Sequence, residues 1–225
     1  MKTLLVILCV ATVAYADERC ESMGGTCQLD SLACVNGHYR SGLCSGGADR
    51  RCCVPSIYCG DVQVITRAQW EARDPISKST MPTPVDLSFI HHTAGNSCYN
   101  IDDCCAQMRS IQNYHMNDNG WNDIGYSFLI GEDGNAYEGR GWGVEGAHTS
   151  GYNDVSHGMS FMGTYMSRLP NTAAMDACYD LLQCGKDEGF ITRFGHCIQG
   201  HRDAGTTSCP GDALYNDMQS WPEYC

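Results

Sequence analysis

Positive charge is scarce in this chain, and so are long apolar runs. Lys and Arg number 14 against 26 Asp and Glu, a formal net charge of −12. Nucleic acid and anionic membrane surfaces are therefore poor partners, and any anionic ligand must be held by local contacts. Beyond residue 16 no stretch is long and apolar enough to span a bilayer, which argues against stable membrane insertion. Internal repeats and low-complexity segments are missing too, leaving no sign of a repeat array.

What is present begins with a targeting signal. Lys2 gives a short positive start, Leu4 to Val13 an apolar run too short for a membrane span, and Ala14-Tyr15-Ala16 a small-x-small cleavage site. Residues 1–16 are thus expected to be a secretory signal peptide, with a mature, extracellular protein starting near Asp17 and a net charge of −13 once Lys2 is gone. Cys9 departs with that segment. The remaining 15 of the 16 cysteines cannot all pair in an oxidising compartment, so one thiol is expected to be left over.

Composition shifts near residue 54. From Cys20 to Cys53 six cysteines fall among Gly24, Gly25, Gly37, Gly42, Gly46 and Gly47 with almost no apolar residue to build a core, the pattern of a disulfide-stapled module at 17–54. Its spacing, C-x6-C-x6-C-x9-C-x7-CC, loosely resembles a β-defensin-type framework with a long second gap. Asp17, Glu18, Glu21, Asp30 and Asp49 outnumber Arg19, Arg40, Arg50 and Arg51. That balance argues against membrane killing and favours a structural or wall-docking module.

Residues 55–225 alternate strand and helix signals and suffice for one sizeable core. Val62–Thr66 reads as a strand and Arg67-Ala68-Gln69-Trp70 as a short helical start. In the strand-like Val85–His92, side-chain alternation groups Val85, Leu87, Phe89 and His91 on one face and Ile90 and His92 on the other, so only one histidine can face a given metal. Asn100 caps an amphipathic helix to Met116, with Asp102 and Asp103 in its first turn and Ile101, Cys105, Met108, Ile111 and His115 at helical spacing. Tyr126–Ile130, Ala136–Glu138 and Met159–Met166 read as strands, Thr172–Glu188 and Leu214–Trp221 as helices. Cys209 follows His201 by eight positions in GHRDAGTTSCPGD. A thiolate and an imidazole at that spacing, joined by a remote His91, would make a three-ligand zinc site with one open position, the arrangement of catalytic zinc.

The strings HHTAG, GWNDIGYSFLIGEDGNAYEGRGW, SFMGTYM and GHRDAGTTSCPGDALY, in that order, resemble the peptidoglycan recognition proteins, secreted animal relatives of phage-type amidases. The likeness runs from about Cys59 to Trp221 and leaves the cysteine-rich module outside. It implies an α/β fold, a central mixed β-sheet flanked by helices, with a groove for bacterial peptidoglycan and its muropeptides. In some members of the family it also implies zinc-dependent N-acetylmuramoyl-L-alanine amidase activity.

Carried over position by position, the resemblance implies Zn2+ ligands at His91, His201 and Cys209 and further catalytic positions at Tyr126 and Thr207. Non-catalytic members typically lack the cysteine, and two imidazoles without the soft thiolate hold zinc poorly. Gly120, Trp121 and Arg140 match the pattern that accompanies meso-diaminopimelate stems, whose extra carboxylate suits the planar guanidinium fork. His92, Thr93, His115, Trp142, His148 and Asn153 resemble stem-peptide and sugar contacts. The resemblance also implies disulfides Cys98–Cys104 and Cys59–Cys184, leaving Cys105, Cys178, Cys197 and Cys225 with three possible connectivities. Two function classes stand against each other, an enzyme that cuts peptidoglycan and a binding module that senses it. Cys209 favours the enzyme.

Overall fold

The computed structural model describes residues 17–225, so the signal peptide expected at 1–16, with Cys9, lies outside the described residues. The chain divides into two compact units between Ile57 and Tyr58. In the first, β1 (Thr26–Leu29), β2 (Gly37–Arg40) and β3 (Arg50–Pro55) form an antiparallel sheet with β3 in the middle. Among the described residues its buried core is small, formed by Cys20, Met23, Leu43, Cys52 and Val54. The disulfides Cys20–Cys52, Cys27–Cys44 and Cys34–Cys53 compensate, each cross-link typically worth about 2–4 kcal/mol by restricting the unfolded chain. Gly25 has no room for a side chain, because a Cβ there would run into the sulfurs of Cys20 and Cys52.

The second unit is built on a mixed sheet. Its strands are β4 (Ile57–Cys59), β5 (Val62–Ile65), β6 (Leu87–His92), β7 (Phe128–Ile130), β8 (Ala136–Glu138), β9 (Ser156–Phe161) and β10 (Cys197–Gly200), in the order β10-β6-β9-β7-β8-β5-β4. β10, β6, β9 and β7 run parallel, and β7 pairs antiparallel with β8. Alternation along β7 sends Phe128 and Ile130 into one apolar cluster and Leu129 into another. The first cluster is covered by α2 (Thr172–Asp187) and the second by α1 (Ile101–Asn117), so the helices sit on opposite faces of the sheet. Two short helices, α3 (His201–Ala204) and α4 (Asp212–Met218), follow β10.

Local chemistry explains the helix starts. Asn100 accepts from Asp103 N at 3.0 Å and Asn171 from Ala174 N at 2.9 Å, caps worth about 1 kcal/mol each. The buried face of α1 includes Gln112, which helical spacing of apolar residues does not reveal. Its amide bonds Arg73 N at 2.9 Å, Arg73 O at 3.0 Å and Asp123 Oδ1 at 2.7 Å, while Asp123 pairs with Arg67 at 3.0 Å. This buried network ties the segments on either side of α1 to the helix.

Several elements depart from expectation. Residues 67–71 form hydrogen-bonded turns rather than a helical start, and Glu71 at φ 60° stops any propagation. β9 begins at Ser156 and ends at Phe161, not at Met159 and Met166: Ser156, His157 and Gly158 are all buried in the sheet despite their polar or glycine character. α4 starts and ends earlier than Leu214–Trp221. Cys98–Cys104 and Cys59–Cys184 are bonded, and Cys197 pairs with Cys225.

Among the described residues Cys105, Cys178 and Cys209 take no part in the disulfides, where parity requires only one cysteine left over. Cys105 and Cys178 are buried in the two opposite clusters, so they cannot meet and instead pack as small apolar side chains. A thiol titration of unreduced, denatured protein starting at Asp17 should therefore count three groups. A count of one would contradict this pairing.

Candidate metal site and groove

His91 lies on the β6 face opposite Ile90 and is only 1 % exposed. Parallel pairing registers Gly200 of β10 beside Ile90. The chain then turns into α3 and carries His201 against His91, ring centroids 4.7 Å apart. After α3 the loop folds back: Arg202 N donates to Cys209 O at 3.1 Å, and Cys209 N donates to Thr207 Oγ1 at 3.1 Å. Cys209 Sγ ends 3.7 Å from His91 Nδ1 and accepts from His92 N at 3.3 Å. One donor atom from each of His91, His201 and Cys209 lies within 4.8 Å of the others. Bond lengths of zinc to nitrogen and sulfur put two such donors roughly 3.6 Å apart on a tetrahedral ion, so the imidazole–thiol pair already fits and small side-chain adjustments would close the trio.

Behind His91 stands a support. Its Nε2 lies 3.3 Å from His148 Nδ1 and 3.4 Å from Thr149 Oγ1. A hydrogen on Nε2 would satisfy these neighbours and leave the Nδ1 lone pair for a metal, the usual way an outer shell sets a ligand's tautomer. His148 sits in a slot between Gly146 and Gly158, where a Cβ on either would overlap its ring. Asn153 Oδ1 fixes the segment by accepting from His148 N at 2.8 Å and Thr149 N at 2.9 Å. His148 is thus buried against a candidate ligand, and Thr149 joins it without having been singled out by any motif.

Electrostatics keep the imidazoles neutral. Burial, reinforced by the neighbouring His148, His201 and His92, holds His91 well below the ordinary imidazole value, and burial lowers His201 as well. His148 is depressed to about 3, chiefly by burial. The Cys209 thiol is pushed up to about 12 by burial, opposed by the His92 N–H and the charge of Arg202. Tyr126, half-buried with its ring 5.2 Å from His91, has its phenol raised above the ordinary value by burial and then by Cys209.

The positions expected to contact the stem peptide fall into separate groups. His115 on α1 packs against Trp121 with tilted rings at 4.6 Å and meets Tyr126 edge-on at 5.7 Å. Its Nδ1 accepts from Gly125 N at 3.0 Å, leaving Nε2–H free to donate, and burial lowers its pKa to about 4. Gly120, Trp121 and Arg140 line one cavity of about 290 Å3 with Ser77, Ser79, Asn122, Glu145, Gly146 and Ala147. Arg140 is not a solvated hairpin charge: Nε donates to Ile124 O at 2.7 Å and Nη1 to Glu145 O at 2.8 Å. Thr207 is exposed beside Cys209.

Three other positions are occupied by internal contacts. His92 Nδ1 accepts from Tyr165 N at 3.3 Å, and Thr93 Oγ1 from Gly163 N at 3.0 Å. Trp142 packs against the cluster beneath α2, stacked on Phe190 at 5.6 Å and against Phe128 at 4.5 Å. The structure does not bring Trp142 to the His91 group.

The family described as N-acetylmuramoyl-L-alanine amidase matches residues 81–212. Peptidoglycan recognition protein 1 of Mus musculus is 44% identical over 162 residues, 72% of this chain and 88% of that protein. Peptidoglycan-recognition protein SC2 of Drosophila melanogaster is 42% identical over 163 residues, again 72% and 88%. Among solved structures, wild-type Drosophila PGRP-LB superposes with a TM-score of 0.71 at 39% identity, covering 73% of this chain and 96% of that one. Peptidoglycan recognition protein-LE in complex with tracheal cytotoxin, a monomeric diaminopimelic acid-type peptidoglycan, gives a TM-score of 0.71 at 39% identity over 72% and 95% of the two chains.

With both imidazoles neutral and the thiol pushed up to about 12, a divalent metal that took Cys209 as a ligand at pH 7 would have to displace its proton. Calorimetric titration with Zn2+ in buffers of different ionisation enthalpy should show release of about one proton, and affinity should rise about tenfold per pH unit above neutrality. A pH-independent affinity would mean that Cys209 is not a ligand.

Proposed function

The chain belongs to the peptidoglycan recognition protein family, and within it we propose that the protein is a secreted, zinc-dependent N-acetylmuramoyl-L-alanine amidase acting on bacterial peptidoglycan in innate immunity. It hydrolyses the bond between N-acetylmuramic acid and the L-alanine of the stem peptide, with a preference for meso-diaminopimelate stems. The observation that carries this reading is the thiol of Cys209 beside His91 and His201. Six disulfides among the described residues support an oxidising, extracellular setting. Residues 1–16 serve as the signal peptide, 17–54 as a separately stapled module, and 55–225 as the amidase domain.

His91, His201 and Cys209 would hold the metal, and bound zinc would supply a water nucleophile at neutral pH and polarise the scissile carbonyl. The rest of the chemistry belongs to the protein. Because its phenol is raised above the ordinary tyrosine value, Tyr126 stays protonated at neutral pH and acts as a hydrogen-bond donor to the developing oxyanion, not as a base. Thr207 Oγ1 accepts from Cys209 N, which leaves its own hydrogen to donate to the same carbonyl and orient it. His115 uses its free Nε2–H to hold the ligand in the groove. His148 and Thr149 keep the His91 ring turned with Nδ1 toward Cys209 Sγ, which leaves that nitrogen available as a ligand.

Cys209→Ser should abolish hydrolysis while binding to insoluble peptidoglycan survives, since the thiolate completes the metal site without lining the peptide groove. Tyr126→Phe should retain zinc and lose roughly 10² to 10³ in kcat, the scale of one transition-state hydrogen bond. Full hydrolysis by metal-free Cys209→Ser protein would overturn the reading, and an unchanged kcat would return Tyr126 to a packing role.

A further inference from the structure

The residues that line the cavity around Arg140 include one of opposite charge, Glu145, together with the hydroxyl residues Ser77 and Ser79. Both charged residues are anchored through polar contacts of the backbone. Arg140 donates to the carbonyls of Ile124 and Glu145, and Glu145 N donates to Ser79 O at 2.9 Å. Their charged groups are not bonded to each other: none of the ion pairs within 4.0 Å among the described residues joins them. Burial depresses Arg140, while the charges of Asp123 and Glu145 act on it in the opposite direction, so the Glu145 carboxylate is electrostatically in range without being bonded.

A cation and an anion held apart on the wall of one cavity complement a zwitterion. An α-amino acid terminus is such a group, with a carboxylate and an ammonium on one carbon. Lysine side chains end in an ammonium alone. The side chain of meso-diaminopimelate ends in both.

We infer that Glu145 binds the terminal ammonium of the same diaminopimelate whose carboxylate Arg140 holds, with Ser77 and Ser79 as neutral hydrogen-bond partners, so that the cavity selects stems whose terminus is free. This rests on the muropeptide reading above and deepens it. In a cross-linked acceptor stem that amine is acylated and no longer carries the charge. The protein then acts on un-cross-linked stems and released fragments in preference to the cross-linked net.

The test is calorimetric binding to the full mature protein carrying Cys209→Ser. Three ligands are compared: the diaminopimelate muramyl tripeptide, the same compound acetylated on its terminal amine, and the same compound amidated on its terminal carboxylate. Acetylation should weaken binding about tenfold, the scale of one hydrogen bond to a charged group. Glu145→Gln should weaken the free-amine ligand by a similar factor and bring the free and acetylated ligands within about twofold of each other, since the pair then shares no interaction. An acetylation penalty that persists in Glu145→Gln is steric and overturns the inference, as does equal binding of the two ligands by the parent. Amidation, and Arg140→Ala, separately report on the carboxylate. If neither weakens binding, the diaminopimelate reading itself fails, whereas a carboxylate effect without an amine effect removes Glu145 alone.

Discussion

The thiol of Cys209 against the imidazole of His91 is the contact on which the site depends. The two residues are 118 positions apart, and their 3.7 Å approach exists only because β10 runs parallel to β6 and delivers the chain into α3 beside it. His92 N, the next residue of the same strand, donates to the sulfur. One strand thus supplies an imidazole to one side of the thiol and a backbone donor to the other. Loss of the β6–β10 register by a single residue would exchange His91 for His92 and dissolve the group.

Burial then determines what the assembled groups can do. Burial leaves His91 neutral and Tyr126 protonated, and the high thiol pKa would couple any metal binding at Cys209 to proton release. Each effect comes from taking charge out of water. The same burial requires that polar atoms be matched, and the His148–Thr149 segment does this for His91. The glycine slot around His148 shows how tightly the support is fitted. An outer shell of this kind typically changes metal affinity by about 10 to 100-fold.

Much of this was legible in the sequence for identifiable reasons. Alternation in Val85–His92 separates His91 from His92 because strand periodicity is strict, and Asn100 announces α1 because capping chemistry is local. The His201–Cys209 spacing is local too. What escaped is non-local or breaks the pattern. Ser156, His157 and Gly158 form the start of a fully buried strand, where neither face needs water and alternation carries no signal. His148 reads as one more groove histidine until its distance to His91 is known, and Trp142 as a groove aromatic until its stacking on Phe190 is seen. Cysteine parity singles out one thiol, while the fold isolates Cys105 and Cys178 on opposite faces of the sheet. Glu145, Ser77 and Ser79 carry no motif, and only the cavity joins them to Arg140.

The central claim is that the His91, His201 and Cys209 group makes this protein an enzyme and not only a binder. Mass spectrometry of defined muropeptides incubated with the mature protein addresses it directly. With zinc present, the account predicts separate N-acetylmuramic acid and free stem peptide, cut before L-alanine, with no cleavage once a chelator removes the metal and recovery when zinc is restored. Intact muropeptides in every condition, with binding still measurable, would contradict it.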